Sequence, residues 1–311
     1  MPKRNWSFVQ LILLCSDKNI ERFINLYCLS VGMVNIPNIV YAKDLANTFM
    51  ANRLQRHPGP YEIGFFWKED INKIFPGITG LIVPPTSAPI YGEMNESETW
   101  LLQHIVAWQQ PKVMVEIGTL YGRSTAIMAK NSPLDARILT VDLPIKARQI
   151  YIPPYSTDTP FVEEDTNRIG EKYREIKEKG KIRKKFQNAT KPAFKKTLDD
   201  FLDGKTIDFA LIDAAHDYGT TKTLFEVVYN RLSPGGIIMT DDYAKLNTHI
   251  GVTRYFSNRA EELVFYWFNP SKMGGNKKPV PAMNQGDPRQ SAIFFINLPE
   301  AHVPWQKRGA K

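Results

Sequence analysis

The sequence is poor in cysteine and has no long apolar run. Its 311 residues include only two cysteines, Cys15 and Cys28, which do not form a C-x-x-C pair. A disulfide framework or a cysteine-ligated zinc site is therefore not expected, and a reducing, cytoplasmic setting fits this composition. No apolar stretch approaches the roughly 20 residues that a membrane-spanning helix needs. The short run from Phe8 to Cys15 has no clear small-residue cleavage site and is followed at once by Asp17 and Lys18. This pattern argues against a signal peptide, so we expect a soluble protein without a membrane partner.

The chain carries an excess of positive charge, with a formal net charge of +8 at pH 7. Such an excess suits an anionic substrate, a nucleic acid or a membrane surface. Much of it lies between Lys172 and Lys185, where glutamates are interleaved. A solvated helix face is a sufficient explanation for that arrangement. Hydrophobic residues make up 43% of the chain, so a sizeable core can form.

The central feature of the sequence is residues 113–125, VMVEIGTLYGRST. Their apolar start predicts a buried strand that Glu116 closes. Gly118 and Gly122 bracket a tight turn, and a helix is expected from Arg123 to Lys130. In open α/β sheets such a junction binds nucleotide-like ligands, because glycines let the backbone approach and the helix N-terminus offers free N–H groups. The G-x-G-x-x-G pattern is missing, which argues against a plain dinucleotide site.

Apolar and amphipathic segments alternate through the second half of the chain. This alternation predicts an α/β fold with a doubly wound, mostly parallel sheet of seven strands. A charged helix is expected from Glu163 to Lys179, and a later amphipathic helix is expected to bury Phe194 and Leu198. Besides the central strand, strands are expected at residues 137–141, 182–186, 207–212, 237–240, 263–268 and 291–296.

The first 92 residues differ from the rest. Much of this part is irregular, with turn signals at Pro58-Gly59-Pro60 and at Pro84-Pro85. Residues 1–92 are therefore expected to form an N-terminal extension, which either covers a pocket or forms an oligomer contact. Residues 93–311 are expected to form the main domain.

Two further motifs follow the central one in order. They are IDFALIDAAHDY, residues 207–218, and LSPGGIIMTDDY, residues 232–243. Together the three make the run from Asn95 to Asn297 resemble a class I S-adenosylmethionine (SAM)-dependent methyltransferase of the small-molecule O-methyltransferase type. Catechol O-methyltransferases and cephalosporin-hydroxylase-like sugar methyltransferases border this group. Ala214 replaces the glycine of its IDG-x-H-x-Y pattern, and the resemblance does not cover residues 1–92.

This resemblance implies a Rossmann-like methyltransferase fold and a set of residues that bind SAM. Asp142, at the tip of the second strand, would hold the ribose, and the Ser124 hydroxyl would meet the carboxylate of the methionine part. Asn188 stands where relatives often have aspartate beside the adenine, and an asparagine can still accept and donate a hydrogen bond. The implied cofactor-binding set is Glu116, Gly118, Thr119, Tyr121, Gly122, Ser124, Asp142, Asn188 and Asp213.

Methyl transfer also needs a group that removes the proton of the acceptor. His216 is the candidate base because an unperturbed histidine has a pKa of about 6.5, and either Asp213 or Asp217 is a candidate to orient it. A histidine that caps the next helix is the alternative. Asp213, Asp241 and Asp242 follow neighbouring strands, so their carboxylates are candidate ligands for Mg²⁺. Hydrogen bonds to the substrate or helix capping remain open for these acids.

The leading hypothesis is a SAM-dependent O-methyltransferase that acts on a small hydroxylated metabolite or a sugar. An RNA or protein methyltransferase is the competing hypothesis that the charge suggests. The N/D-P-P-Y/F loop of base N-methyltransferases is absent, and no basic and aromatic platform is visible, so a nucleic-acid partner is not expected. A non-catalytic binding module and a dehydrogenase also stay open, and NADH binding would identify the dehydrogenase. The sequence leaves a homo-oligomer open.

Overall fold

The computed structural model describes residues 63–66, 83, 89, 92–94, 96–144, 167–214, 218–241, 263–268 and 292–297. Eight strands in these ranges form one sheet, with helices between them. The elements are β1 (Ile63–Phe66), α1 (Glu96–Gln109), β2 (Val113–Ile117), α2 (Arg123–Asn131), β3 (Arg137–Asp142), α3 (Glu171–Arg174), a 3₁₀-helix (Lys177–Lys181), β4 (Ile182–Phe186), α4 (Pro192–Leu202), β5 (Ile207–Ile212), α5 (Tyr218–Tyr229), β6 (Leu232–Thr240), β7 (Leu263–Phe268) and β8 (Ala292–Asn297).

The strand order is β1-β7-β8-β6-β5-β2-β3-β4. Strands β4, β3, β2, β5 and β6 are parallel, and β8 runs antiparallel to both β6 and β7. The expected mostly parallel α/β sheet is therefore confirmed. The sheet has eight strands rather than seven because residues 63–66, in the predicted N-terminal extension, pair with β7. The proposed division at residue 92 stays a prediction.

The hydrophobic core lies on both faces of the central strands. Side chains of β2 alternate between these faces, so that Val115 packs with α4 and α5 whereas Met114 packs with α1 and α2. Three phenylalanines, Phe194, Phe209 and Phe225, are among the largest fully buried side chains. Strands that are covered on both faces must be apolar throughout, and this explains the apolar runs in the sequence. No helix in the described ranges is long and apolar enough to cross a membrane.

Helices that were predicted from a stripe of apolar residues at helical spacing are present in the structure. Helix α4 buries Phe194 and Leu198, as expected. The charged helix expected up to Lys179 is wrong for the described residues: α3 has only four residues, and Ile176 is extended before the 3₁₀-helix begins. Tyr173 and Ile176 turn into the core, so packing rather than the charge pattern decides the path of this segment.

Gly118 follows the last residue of β2, which lies between β3 and β5 in the sheet. Its N–H donates to the carbonyl oxygen of Val141 (2.8 Å). The N–H of Asp213 donates to the carbonyl oxygen of Ile117, the residue before Gly118 (2.9 Å). The backbone of Gly118 has a φ of +108°, and a Cβ added there would lie 1.7 Å from the carbonyl oxygen of Asp213. Only glycine fits both the conformation and the space.

We expect Gly118→Ala to lower the free energy of unfolding by more than about 4 kcal/mol, because the clash is with backbone atoms. Gly204→Ala is the matched control, since Gly204 has a φ of +74° but no atom within 4 Å of an added Cβ. That control should lose only about 1 to 2 kcal/mol through backbone strain. Urea denaturation measures both values. Equal losses in the two variants would show that close packing at Gly118 is unimportant.

Candidate functional site

Several predicted site residues lie along one edge of the sheet. Strands β2, β3, β5 and β6 run in the same direction and end side by side, with Ile117 opposite Ile212 and Ile212 opposite Thr240. The carboxyl edge of such a sheet is where ligands bind in open α/β folds. The predicted residues that this edge gathers are Glu116, Asp142, Asp213 and Asp241.

The loop after β2 is a tight turn that leads into α2. The N–H of Gly122 donates to the carbonyl oxygen of Thr119 at 2.8 Å. Leu120 and Gly122 both have left-handed backbone conformations, with φ values of 44° and 83°. Gly122 precedes α2 and provides no side-chain cap. N–H groups in a first turn of this kind are suited to bind an anionic group.

Glu116 is completely buried beside this turn. Its Oε1 accepts a hydrogen bond from the Ser124 hydroxyl at 2.5 Å, and its Oε2 accepts from the hydroxyls of Thr125 and Thr140. Burial raises the pKa of Glu116 to about 7; the hydroxyl bonds oppose this shift and Asp142 adds to it. Both carboxylate oxygens bind within the protein. Glu116 therefore acts on its surroundings through these hydroxyl groups.

The hydroxyl groups around an ionised Glu116 have a defined direction. Thr140 gives its one proton to Glu116, while its oxygen lies 2.6 Å from the hydroxyl oxygen of Thr119. Since Thr140 has no second proton, Thr119 must be the donor in that pair. With Glu116 ionised, the hydroxyl protons of Ser124, Thr125 and Thr140 go to the carboxylate, and the Thr119 proton goes to the oxygen of Thr140.

Asp142, at the end of β3, supports the same turn from the other side. Its Oδ2 accepts hydrogen bonds from the N–H groups of Thr119 (3.2 Å) and Leu120 (2.8 Å), and its Oδ1 accepts from Leu143 (2.7 Å). The Asp142 side chain is 9% exposed, whereas Glu116 has no exposure. Of these two acids, Asp142 is the one nearer the surface of the edge.

A segment that sequence reasoning missed, residues 168–173, packs on the turn. The N–H of Gly170 donates to the carbonyl oxygen of Leu120 at 2.8 Å. Two residues later, the N–H of Lys172 donates to the carbonyl oxygen of Tyr121 at 3.0 Å. The only sequence signal was Gly170, which adopts a left-handed conformation immediately before α3.

Tyr173 and Arg168 complete this contact through their side chains. A Cβ added at Gly122 would lie 2.5 Å from the ring of Tyr173, so this glycine is needed for packing against the protein itself. Burial, with a contribution from Glu116, raises the pKa of Tyr173 to about 12. The guanidinium of Arg168 lies 4.5 Å from the ring centroid of Tyr121, which places Tyr121 under a cation.

Arg123 is a second feature that the sequence did not reveal. This first residue of α2 is 4% exposed, and its Nη1 donates to the carbonyl oxygen of Met94 (2.8 Å) and the hydroxyl of Thr99 (3.1 Å). Nearby, Lys172 forms an ion pair with Glu93 at 2.6 Å. These contacts tie the starts of α1 and α2 to the segment that covers the turn.

The predicted acid cluster is described only in part. Asp213 follows β5 and is half-buried, and Asp241 follows β6 and is buried. The N–H of Asp241 donates to the carbonyl oxygen of Ile212 at 3.3 Å, so the two strand ends are adjacent. Asp242 and His216 lie outside the described residues. Within those residues, no group of three His, Cys, Asp or Glu side chains is placed to hold a metal ion.

Asn188 follows β4, at the far end of the same edge. Its Oδ1 accepts hydrogen bonds from the N–H (2.9 Å) and the hydroxyl (2.7 Å) of Thr190. The carbonyl oxygen of Asn188 is thus engaged in this turn, and its Nδ2 amide is a hydrogen-bond donor.

Comparison with known protein families adds to this geometry. Residues 115–243 match a family model described as a methyltransferase domain. The range begins in β2 and extends past β6, so it contains the whole edge described above. The match confirms the methyltransferase function expected from the three sequence motifs.

Solved structures similar to the chain include several O-methyltransferases. One from Bacillus cereus, in complex with SAH, is 15% identical with a TM-score of 0.43, and the match covers 88% of this chain and 96% of that chain. A putative O-methyltransferase from Klebsiella pneumoniae is 15% identical with a TM-score of 0.45, covering 89% and 96%. TomG from Streptomyces achromogenes, involved in tomaymycin synthesis and in complex with SAM, is 14% identical with a TM-score of 0.44, covering 92% and 100%. No curated protein matches the chain. Identities this low transfer no residue roles to this chain.

The raised pKa of Glu116 predicts a pH-dependent stability. Because this pKa rises from 4.5 to about 7 on folding, the native state keeps a proton that the unfolded chain has already lost. The contribution of Glu116 to the free energy of unfolding should therefore be highest below pH 4.5 and fall as the pH rises towards 7. The total loss is on the order of 3 kcal/mol.

Urea denaturation of the wild type and of Glu116→Gln between pH 5 and 8 measures this contribution as the difference between the two proteins. With rising pH, stability should shift in favour of the glutamine variant. A difference that stays constant over this range would contradict the assignment of the titration to Glu116.

Proposed function

We propose that this protein is a SAM-dependent O-methyltransferase that transfers a methyl group to a hydroxyl of a small metabolite or a sugar. The observation that carries the proposal is that one sheet edge of the methyltransferase domain gathers the glycine turn, the hydroxyl groups around Glu116, and Asp142. The edge thus combines groups for the two polar ends of the cofactor. The reducing cytoplasm is the proposed setting, since the chain has only two cysteines.

SAM would bind with its methionine part at the turn and with its nucleoside towards β4. The polar groups at the turn are the hydroxyls of Thr119 and Ser124 and the N–H groups at the start of α2. Asp142 would accept hydrogen bonds from the ribose. Its carboxylate accepts hydrogen bonds from three backbone N–H groups at the end of β3 and in the turn. It also lies nearer the surface of the edge than Glu116, which has no exposure.

The reaction is an in-line displacement at the methyl carbon. The oxygen of the acceptor attacks this carbon, the carbon–sulfur bond breaks, and S-adenosylhomocysteine (SAH) leaves with the electron pair on sulfur. His216 would take the proton of the acceptor hydroxyl, with Asp213 holding the imidazole in position. Most of the rate gain from such a site comes from alignment of the two substrates.

A divalent cation would fit the donor chemistry of the same edge. Asp213 and Asp241 follow adjacent strands, and carboxylate oxygens are the ligands that Mg²⁺ prefers. Asp213, Asp241 and Asp242 would hold the ion, and the ion would lower the pKa of the acceptor hydroxyl.

Calorimetric titration of the purified chain with SAH tests the proposal, repeated with Mg²⁺ and after EDTA treatment. Saturable micromolar binding is expected, and methyl transfer from labelled SAM to a panel of hydroxylated acceptors would follow. NADH serves as the control ligand. The proposal would be contradicted if the folded protein bound NADH but not SAH, or if it bound neither ligand.

Asp142→Asn should weaken SAH binding by about 10- to 100-fold, because the change removes the charge and one acceptor oxygen that faces the ribose. Asp135→Asn is the matched control: Asp135 is exposed and pairs with Lys112 at 3.1 Å, at the opposite end of β3. Calorimetry should show unchanged affinity for that control. Wild-type affinity in Asp142→Asn would remove Asp142 from the cofactor site.

His216→Ala should leave SAH affinity within about twofold of the wild type and lower turnover by roughly 10²- to 10⁴-fold, the range typical of a lost general base. Single-turnover methyl transfer with saturating SAM measures the effect. An equal loss of binding and turnover would instead show that His216 has a structural role.

A further inference from the structure

We propose that the surface formed by β4, the 3₁₀-helix before it and the start of α4 binds single-stranded RNA. Six exposed lysines and arginines make up this surface, which we call the basic surface: Lys177, Lys179, Arg183, Lys185, Lys191 and Lys195. None of them belongs to the proposed cofactor or catalytic groups, so the inference goes beyond the proposed function. It also departs from the sequence-based expectation that a nucleic acid is not a partner.

The positive charge of the chain is concentrated around this surface. Residues 172–196 contain eleven lysines and arginines and two glutamates. The whole chain has a net charge of +8, so the rest of the chain is close to neutral. The two aspartates that follow are engaged elsewhere, Asp199 with Arg231 at 2.6 Å and Asp200 with Lys196 at 3.1 Å. They therefore leave the charge of the basic surface uncompensated.

A solvated helix face, the explanation that the charge pattern suggested, does not describe this region. Before β4 the segment contains only the four-residue α3 and a 3₁₀-helix of five residues. Strand β4 is the last in the sheet order, and its Arg183 and Lys185 are exposed. The bases therefore follow the outer edge of the sheet.

The bases of β4 and those of α4 lie on the same face of the sheet. Arg183 and Lys185 are opposite Leu139 and Val141 of β3, which pack with Phe194 of α4 in one core cluster. Side chains directly opposite each other in a sheet share a face. Two bases at alternate positions of a strand are roughly 6.6 Å apart. The exposed lysines at the start of α4 extend this row of cations.

Protection of a sheet edge is the other role that bases on β4 could have, since lysines on an edge strand hinder pairing with a second sheet. That role is limited to β4, whereas the bases of the 3₁₀-helix and of α4 lie outside any strand. Within the described residues, no ion pair or side-chain hydrogen bond neutralises a member of the basic surface. Like charges held close together repel each other, and a bound polyanion would relieve this repulsion.

An exposed aromatic ring lies at the end of this row of bases. Phe186, the last residue of β4, is 41% exposed, and the Lys184 ammonium lies 4.6 Å from its ring centroid. Surfaces that bind single-stranded nucleic acids combine cations, which contact the phosphates, with aromatic rings on which bases stack. The sequence pattern could not reveal this combination, because the exposure of Phe186 follows from the position of β4 at the edge of the sheet.

Other anionic partners fit the basic surface less well. A bilayer is held by apolar side chains as well as by charge. Among the described residues only Phe186 and Leu134 are large exposed apolar side chains, and they lie at opposite ends of the sheet. A duplex groove admits a helix or a two-stranded ribbon, whereas the basic surface follows one edge strand. In the proposed cytoplasmic setting, RNA is the single-stranded polymer of phosphates.

Fluorescence anisotropy with a labelled oligouridine of about 16 nucleotides, the upper end of single-strand site sizes, measures binding. The double variant Arg183→Gln/Lys185→Gln should bind about tenfold more weakly or worse. Its slope of log K against log salt should be smaller by about 1.4, because each lost phosphate contact removes about 0.7. Lys112→Gln/Lys205→Gln is the matched control: it loses the same charge from exposed lysines before β2 and β5. That control should bind within about twofold of the wild type.

The stacking part of the inference has its own variant. Phe186→Ala should weaken oligouridine binding by roughly five- to 100-fold, the effect of one lost base stack, without changing the salt slope. Urea denaturation checks that each variant is folded.

Three results would overturn the inference. The first is no oligouridine binding by the wild type at about 0.1 M salt. The second is an equal loss in the two double variants, which would assign the binding to net charge alone. The third is tighter binding of polyglutamate, or of vesicles containing phosphatidylserine, at equal anionic charge, which would assign the surface to an acidic protein or a membrane. Calorimetry with SAH tests the proposed function separately: a wild type that binds SAH but not oligouridine contradicts this inference alone.

Discussion

The site depends on one buried carboxylate and the hydroxyl groups that bind it. A fully buried charged group is tolerated only when hydrogen bonds within the protein replace those that it would make to water. Glu116 receives these bonds from α2 and from β3, which approach it from two directions. The same bonds fix the angle at which the chain leaves β2, passes through the glycine turn and starts α2. Solvation of a single side chain thus sets the shape of the turn.

The glycines of the turn are explained by the protein itself before any ligand is considered. Gly118 makes room for the carbonyl of Asp213, and Gly122 makes room for Tyr173. Sequence reasoning assigned both to backbone approach towards a cofactor. The two roles are compatible, because a turn that is packed on its inner side presents its outer side in a fixed geometry. Such preorganisation reduces the cost of ordering on binding.

The sequence predicted the parts of the molecule that local patterns control. Strand β5 and helix α4 follow from apolar runs and from a stripe at helical spacing, and the shared edge follows from parallel strands. Segment 168–173 could not be predicted, because its contacts with Leu120 and Tyr121 join residues about 50 positions apart. The charge pattern in this region even favoured a long helix. Exposed charges contribute little to stability, so they did not determine the path of the chain.

The acidic side chains along the edge differ in how deeply they are buried, and this difference separates their roles. Glu116 has no exposed surface, Asp142 has 9%, and Asp213 is half-buried. A fully enclosed carboxylate orients its neighbours, whereas a more exposed one keeps acceptor positions for a ligand. The acid that marks the central motif most clearly in the sequence is therefore the most deeply buried of the three. Its contacts are with the hydroxyl groups of Ser124, Thr125 and Thr140, so within the described residues its role is to hold α2 and β3 together.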